Sequence, residues 1–344
     1  MNCFGCINLR QKQYYIFNEQ YTKEKYFERL AELGTGNSAA MIRMRDDLTS
    51  HFAKFPRKYS QILNSEECTG CYIADSKNCK DCFHAVEARD CRYGVHVWRD
   101  AKDCMDVDTA GRNAELIYET INCGIDVYHN LFCMTCWTAQ DLLYCDFCHY
   151  SKHCFGCVGL QHKEYCILNM QFTREEYETI VPKIIDHMRG TGEWGEFFPS
   201  AISCFGYNET AAADSFPLKR EEALARGYKW HEDDNAAKYQ GRQYAIPDDI
   251  ESVKDDIAKA ILLCGASQKP YRIIPQELAF YRTNHIPIPT RSPEQRHKER
   301  MARRLPRKLW ERRCSSCDCK FSTPYEKGRS ERILCEDCFA KALV

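Results

Sequence analysis

A chain of 344 residues, 44% hydrophobic, 12% aromatic and 28% charged, has the composition of a globular protein with room for two or three domains. Its longest apolar run, "AILLC", falls far short of the about 18 residues of a membrane-spanning helix, so no membrane contact is expected. The N-terminus has neither the basic nor the apolar part of a signal peptide, so the cytoplasm is the expected location.

Net charge is −1, yet the ends differ: residues 291–344 carry 15 Lys/Arg against 8 Asp/Glu, net +7, and residues 1–290 carry 33 against 41, net −8. A basic end on an acidic body points to a polyanion contact at that end. The 23 cysteines are an odd number, and with no signal peptide expected this argues for reduced thiols rather than a disulfide scaffold.

In chain order, residues 3–26 match 154–177 at 13 of 24 positions, each copy led by "CFGC". From Lys12 onward the identities fall on alternate residues, the period of a β-strand. The strand hands over to a helix at Thr173, where "TREE" is a capping box closed by Glu176; Thr22 can cap the first copy, but Lys25 replaces the glutamate. Pro182 should kink or divide the second helix. Residues 38–55 read as helix, ending near Pro56.

Residues 61–165 break into short β-like pieces, most led by Cys and stepping by about 11 residues. That rhythm predicts a β-solenoid with two strands per coil of about 22 residues. Asn or Asp before many of the cysteines suits corners. In an extended strand residues i and i+3 face opposite ways, so Cys68, Cys71, Cys79, Cys82 or Cys145, Cys148, Cys154, Cys157 could hold a metal only if a bend separates each pair. The single cysteines Cys91, Cys104 and Cys123 keep the same rhythm and favour a stack of buried thiols. His149, His153 and His162 read as corner or surface residues. Asp103, Asp106 and Asp108 could line a groove, as in carbohydrate-acting β-helices, by fold analogy alone.

Beyond, Pro217 and Gly227 bracket a short helix, residues 231–243 look like a linker, and Ile250, Val253, Ile257, Ile261 and Cys264 predict one amphipathic helix. "PQELAFYR" predicts a helix followed by a Pro-broken extended segment.

The C-terminus carries the clearest chemistry. Cys314 and Cys317 form one C-x-x-C, and Cys335 and Cys338 another. Two such knuckles joined by a hairpin predict one structural Zn2+ in a zinc ribbon of treble-clef type, with all four places filled and none left for a catalytic water. Cys319 lies outside the two pairs and is not counted as a ligand. Upstream, Ser292, Pro293 and Gln295 predict a capped helix bearing Arg296, Arg300, Arg303 and Arg304 as one stripe, ended by Pro306. With Lys298, Arg307, Lys308, Arg312 and Arg313, these residues form a candidate nucleic-acid surface; the same charges read equally as a face docked on the acidic body. No P-loop, nucleophile elbow, H-E-x-x-H or dinucleotide fingerprint appears, so the reading leans away from an enzyme.

The phrases "CFGCVGLQHKEYCILN", "FPLKREEALARGYKW", "YRIIPQELAFYR", "RSPEQRHKERM" and "PRKLWERRCSSC…CEDC" together resemble an uncharacterised cysteine-rich family with a C-terminal zinc ribbon, abundant in candidate-phylum bacteria. The resemblance implies a zinc site on Cys314, Cys317, Cys335 and Cys338 and no established activity. Related sequences often place a further C-x-x-C at "SPEQ"; with Ser292 and Gln295 there, no second ribbon paired with Cys264 is expected.

Four parts follow: residues 1–60, a partial repeat; 61–190, the cysteine-rich solenoid; 191–290, helical and linker segments; 291–344, the basic helix and zinc module. The fold class is α+β. The leading function is a non-enzymatic protein contacting nucleic acid or a ribonucleoprotein through 291–344. Its rivals are a protein-interaction scaffold using the solenoid face and, more remotely, a solenoid hydrolase or lyase.

Overall fold

A computed structural model describes residues 2–95, 97–109, 111–122, 124–232 and 244–342; Cys123 and most of the expected 231–243 linker lie outside the described residues. Helix and strand are mixed. Strands β1 (Cys3–Phe4), β2 (Tyr15–Ile16) and β3 (Glu19–Gln20) form a small sheet, followed by helices α1 (Lys23–Glu32) and α2 (Ser38–Ala53). After β4 (Arg57–Lys58) comes a ten-stranded sheet. Its strands are β5 (Ile62–Leu63), β6 (Gly70–Ala74), β7 (Cys82–Arg89), β8 (Trp98–Met105), β9 (Ala114–Tyr118), β10 (Val127–Tyr128), β11 (Gln140–Leu143), β12 (Lys152–Phe155), β13 (Glu164–Ile167) and β14 (Met170–Gln171).

Each strand from β5 to β12 pairs in parallel with the next in the chain, and β13 pairs antiparallel with β14. Gly70 stands beside Cys82, Gln140 beside Lys152, and Lys152 beside Glu164. The chain therefore returns to the ladder after every strand, not after every second one. The expected two-strand unit is corrected to a one-strand rung, half as long, that pairs directly with its neighbour.

The backbone explains the shorter unit. Asp75, Asn78, Asp81, His84, Glu87 and Asp90 all have positive φ, a left-handed residue at every third position. Asn, Asp and His recur there because they enter this region more readily than other side chains. Each kink is followed by an inward residue: Ser76, Cys79, Cys82, Ala85, Ala88 and Cys91 are all buried. The same period runs through Cys133, Cys136, Ala139, Leu142, Cys145, Cys148, Ser151, Cys154 and Cys157. Turns this tight leave a narrow interior, which small side chains fill. The expectation that i and i+3 face opposite ways thus fails: a bend does separate each pair, and both thiols point inward.

The repeated phrase builds the same local structure twice. Phe17 N–H donates to Phe4 O at 3.0 Å, and Leu168 N–H to Phe155 O at 3.0 Å. Asn18 and Asn169 each bridge the preceding corner, accepting from Ile7 N–H at 2.9 Å and from Val158 N–H at 2.8 Å. Thr22 and Thr173 cap α1 and α3 (Arg174–Thr191); only Thr173 closes the full box with Glu176. Pro182 sits inside α3 without dividing it.

Further on come α4 (Ala211–Ser215) and α5 (Arg220–Ala225). The amphipathic helix expected over 250–264 is instead two 3-10 turns, Ile250–Ser252 and Asp255–Lys259, then β15 (Leu262–Leu263). A 3-10 turn also brings residues i and i+3 to one side, so the apolar spacing fits both. Then follow β16 (Pro270–Tyr271), α6 (Pro275–Thr283) and α7 (Pro293–Met301). Ser292 caps α7 by accepting from Gln295 N–H at 3.2 Å, while the Gln295 amide turns to Glu299, so the expected box is half formed. The C-terminal module is β17 (Trp310–Arg313), β18 (Lys320–Thr323), β19 (Ile333–Leu334) and α8 (Glu336–Ala342). Among the described residues, no helix is long and apolar enough to cross a membrane.

Candidate metal centre

The hairpin β17–β18 carries Cys314 and Cys317 in its turn, and β19 delivers Cys335 at the start of α8. Cys314 N–H bonds Cys319 O at 2.9 Å, and Asp318, at positive φ, donates to Cys314 O at 3.1 Å, which closes the knuckle. The Cys314 sulfur accepts from Ser316 N–H and Cys335 N–H, each at 3.4 Å. Burial pushes the Cys314 thiol up, but the backbone amides of Cys317, Cys335 and Ser316 outweigh it and hold it at about 6. Cys317 is likewise lowered, chiefly by the Cys319 backbone amide. Stabilised thiolates are what a metal ion requires.

The Sγ atoms of Cys314, Cys317, Cys319 and Cys335 lie within 4.8 Å of one another, so these four can hold a metal ion. Cys319, excluded on spacing, belongs to this tight set, and Cys338 stands just outside it. Cys338 borders the same cluster, beside Cys317 and Cys335. Five thiols thus converge on one small volume.

The ladder thiols form no such group among the described residues. Each instead points at carbonyls: Cys79 Sγ lies 3.5 Å from Lys77 O and 3.6 Å from Ala88 O, and Cys148 Sγ 3.5 Å from Asp146 O and 3.3 Å from Cys157 O. Neighbouring thiols shift one another in both directions: a hydrogen bond with Cys79 and then burial raise Cys82, while hydrogen bonds with Cys136 and Cys145 lower Cys148. Cys68, Cys71, Cys79 and Cys82, like Cys145, Cys148, Cys154 and Cys157, therefore occupy packing positions.

A second knuckle surrounds Cys264. Cys264 N–H donates to Lys269 O at 2.9 Å, Gln268, at positive φ, donates to Cys264 O at 2.9 Å, and Gly265 N–H donates to Thr290 O at 2.9 Å. These match Cys314 to Cys319, Asp318 to Cys314, and Ser315 to Ile333. Strands β15 and β16 with α7 thus repeat the layout of β17, β18 and α8. The places of Cys317, Cys335 and Cys338 are taken by Ser267, Ser292 and Gln295. The expectation of no second ribbon holds for the ligands and fails for the backbone; the glycine after Cys264 and the C-x-x-S spacing were the sequence signal.

The basic stripe is largely spoken for. Helix α7 stops at Met301, so Arg303 and Arg304 do not continue its face. Arg296 turns inward to Tyr281 Oη at 3.3 Å and Glu277 at 3.4 Å. Lys298 pairs with Glu294 at 2.8 Å, Arg304 meets His84 Nε2 at 2.9 Å, and Lys308 lies over Trp310. Arg312 donates to Glu326 O at 3.0 Å, and Arg313 pairs with Asp318. Arg307 is half-buried; Arg300 and Arg303 are exposed with no ion pair among the described residues.

No protein-family model, curated protein or solved structure matches the chain.

Proposed function

We propose that this is a non-enzymatic binding protein built on a solenoid of one-strand coils and held at its C-terminal end by one structural Zn2+. The observation that carries the reading is the convergence of C-terminal thiols around amide-stabilised Cys314. We assign Cys314, Cys317, Cys335 and Cys338 as the ligands on their two C-x-x-C spacings, with Cys319, which lies within 4.8 Å of the first three, as the rival fourth. Four sulfurs fill a tetrahedral ion, so the metal shapes the module and performs no chemistry. Protein purified without added metal should contain one zinc per chain by mass spectrometry of the element; none, or two, would sink the reading.

The partner we assign is nucleic acid, on a surface redrawn from the sequence expectation. Arg312, Arg313, Lys320 and Lys327 line one depression of about 430 Å3 on the zinc hairpin, and exposed Arg300 and Arg303 lie in the preceding segment. Such contacts are to phosphates, so binding should fall steeply between about 50 and 200 mM salt. Charge reversal of Arg300, Arg303, Lys320 and Lys327 together should weaken filter binding at least about tenfold. Undetectable binding at the lower salt, or binding indifferent to the reversal, refutes the assignment.

Exposed Trp137, Phe147, Tyr150 and Val158 on neighbouring rungs support a second reading, a protein-interaction face. A partner that co-purifies with the charge-reversed chain but not with Trp137→Ala/Tyr150→Ala would favour it.

A further inference from the structure

A cavity of about 300 Å3 lies where the first rungs, the end of α4, the segment after α7 and the zinc module meet. Tyr72 and His84 line it from β6 and β7, Asp214 from α4, Arg304 and Arg307 from the segment after α7, and Arg329 from the zinc module. Three guanidiniums therefore border one partly enclosed space. Arg329 is held by Glu331 and lies over Tyr325. The wall's carboxylate, Asp214, is bonded to His297 at 2.8 Å. Arg304 donates to His84 Nε2 at 2.9 Å. Arg307 makes no hydrogen bond or ion pair among the described residues. Burial lowers its pKa, Asp108 partly offsets this, and neighbouring Arg304 lowers it further.

Arg304 and Arg307 are thus two like charges in a concave site, neither with a carboxylate bonded to it. An anion with several acceptor oxygens relieves their repulsion and matches the guanidinium fork. The ring pair Tyr72–His84, stacked at 4.8 Å and 9°, gives the cavity a flat wall fixed by the ladder register. The volume is at the small end of ligand sites and suits a phosphate group with few atoms beyond it.

We infer that this cavity is a phosphate-binding site in which Arg304 and Arg307 grip the oxygens, for either free phosphate or the phosphate terminus of a larger molecule. It is distinct from the hairpin depression, and bound phosphate ties the segment after α7 to the first rungs.

The test is calorimetric titration of the zinc-loaded full chain with inorganic phosphate. One saturable site is expected, weakened at least about tenfold by Arg307→Gln and by Arg304→Gln and little changed by Lys320→Gln. No saturable binding up to about 10 mM phosphate, or Arg307→Gln binding like the parent, overturns the proposal. Should the glutamine variants lose zinc or fold, the unmodified chain still decides: phosphate must protect Arg304 and Arg307 from phenylglyoxal, and equal modification with and without phosphate overturns the site. A short 5′-phosphorylated oligonucleotide, titrated into the chain reversed at Arg300, Arg303, Lys320 and Lys327, separates the sources. Competition by it assigns a terminal phosphate, and competition by inorganic phosphate alone assigns the free ion. Equal competition by the unphosphorylated oligonucleotide overturns the site.

Discussion

A left-handed residue at every third position decides what a cysteine can do in this chain. It turns both thiols of a C-x-x-C inward, where the available partners are the carbonyl two residues back and another on the following rung. Ser76 and Ser151 occupy equivalent positions, donating to Ala74 O at 2.7 Å and His149 O at 2.9 Å. The position therefore asks for a small side chain with one proton to give. Cys145, whose sulfur is 3.4 Å from Leu143 O and 3.5 Å from Cys154 O, provides the test. Cys145→Ser should cost under about 1.5 kcal/mol, whereas Cys145→Leu overfills the rung and should cost about 1–3 kcal/mol or more. Denaturant midpoints of the two variants would check this, and a serine variant the less stable of the two would refute it. Cys264 is the contrasting case. Burial raises its thiol, but Ser267, Ser292 and Ala266 outweigh this and hold it at about 6, below its ordinary value of 9.0. Between these values the unfolded chain binds a proton that the native chain lacks, so stability rises with pH across the window and is lost as pH falls through about 6. The melting temperature of zinc-loaded protein should rise from about pH 6 to 8.5, and Cys264→Ala should flatten that rise; equal slopes would disprove the thiolate.

At the scale of the element, the C-terminal cysteine module was legible because its signals are local. The two C-x-x-C pairs bring Cys314, Cys317 and Cys335 together as their spacing predicts, and Thr173 announces α3 in the same way. The rung was not legible, because a period-two strand and a chain kinked every third residue can space their leading cysteines alike. What distinguishes them is Asn or Asp directly before an inward residue at three-residue intervals, as at Asn78, Asp81 and Asp90. The copy around Cys264 was hidden for a related reason: only one ligand survives, while the hydrogen bonds that define the knuckle belong to the backbone. Spacing made Cys319 the spare thiol, whereas the structure puts Cys319 and not Cys338 in the tight set. If the two C-x-x-C pairs hold the ion, Cys319→Ser should retain one zinc at nearly parental affinity, and Cys338→Ser should lose about tenfold or more. Competition with a chromophoric chelator reads both, and the opposite ranking would make Cys319 the fourth ligand.

For the whole molecule, the position of the C-terminal cysteine module matters more than its chemistry. A ladder of parallel strands ends in unpaired backbone groups, and stacked units need a cap. Here β19 pairs in parallel with β4, Ile333 against Arg57 and Leu334 against Lys58, immediately before the first ladder strand. Thr323 Oγ1 donates to Tyr59 O at 2.6 Å, Phe321 packs on the Tyr59 ring at 5.2 Å, and Lys58 meets Glu336 at 2.6 Å. The clustered thiols and the start of the ladder are thus joined through the short strand β19, which has little stability of its own. The far end is closed differently, by the antiparallel return of β14 and by α3, with Tyr177 and Val181 buried against Phe155 and Ile167. Metal removal should therefore act at one end only. On chelation, hydrogen exchange should quicken first at residues 57–74 as well as at 314–338, while 140–167 keeps its protection until the chain unfolds. A cap that merely decorates the ladder would confine the change to 314–338. Uniform loss along the ladder would mean that the rungs unfold as one cooperative block, because stability in a stacked array passes from unit to neighbour and should be lost from the uncapped end inward.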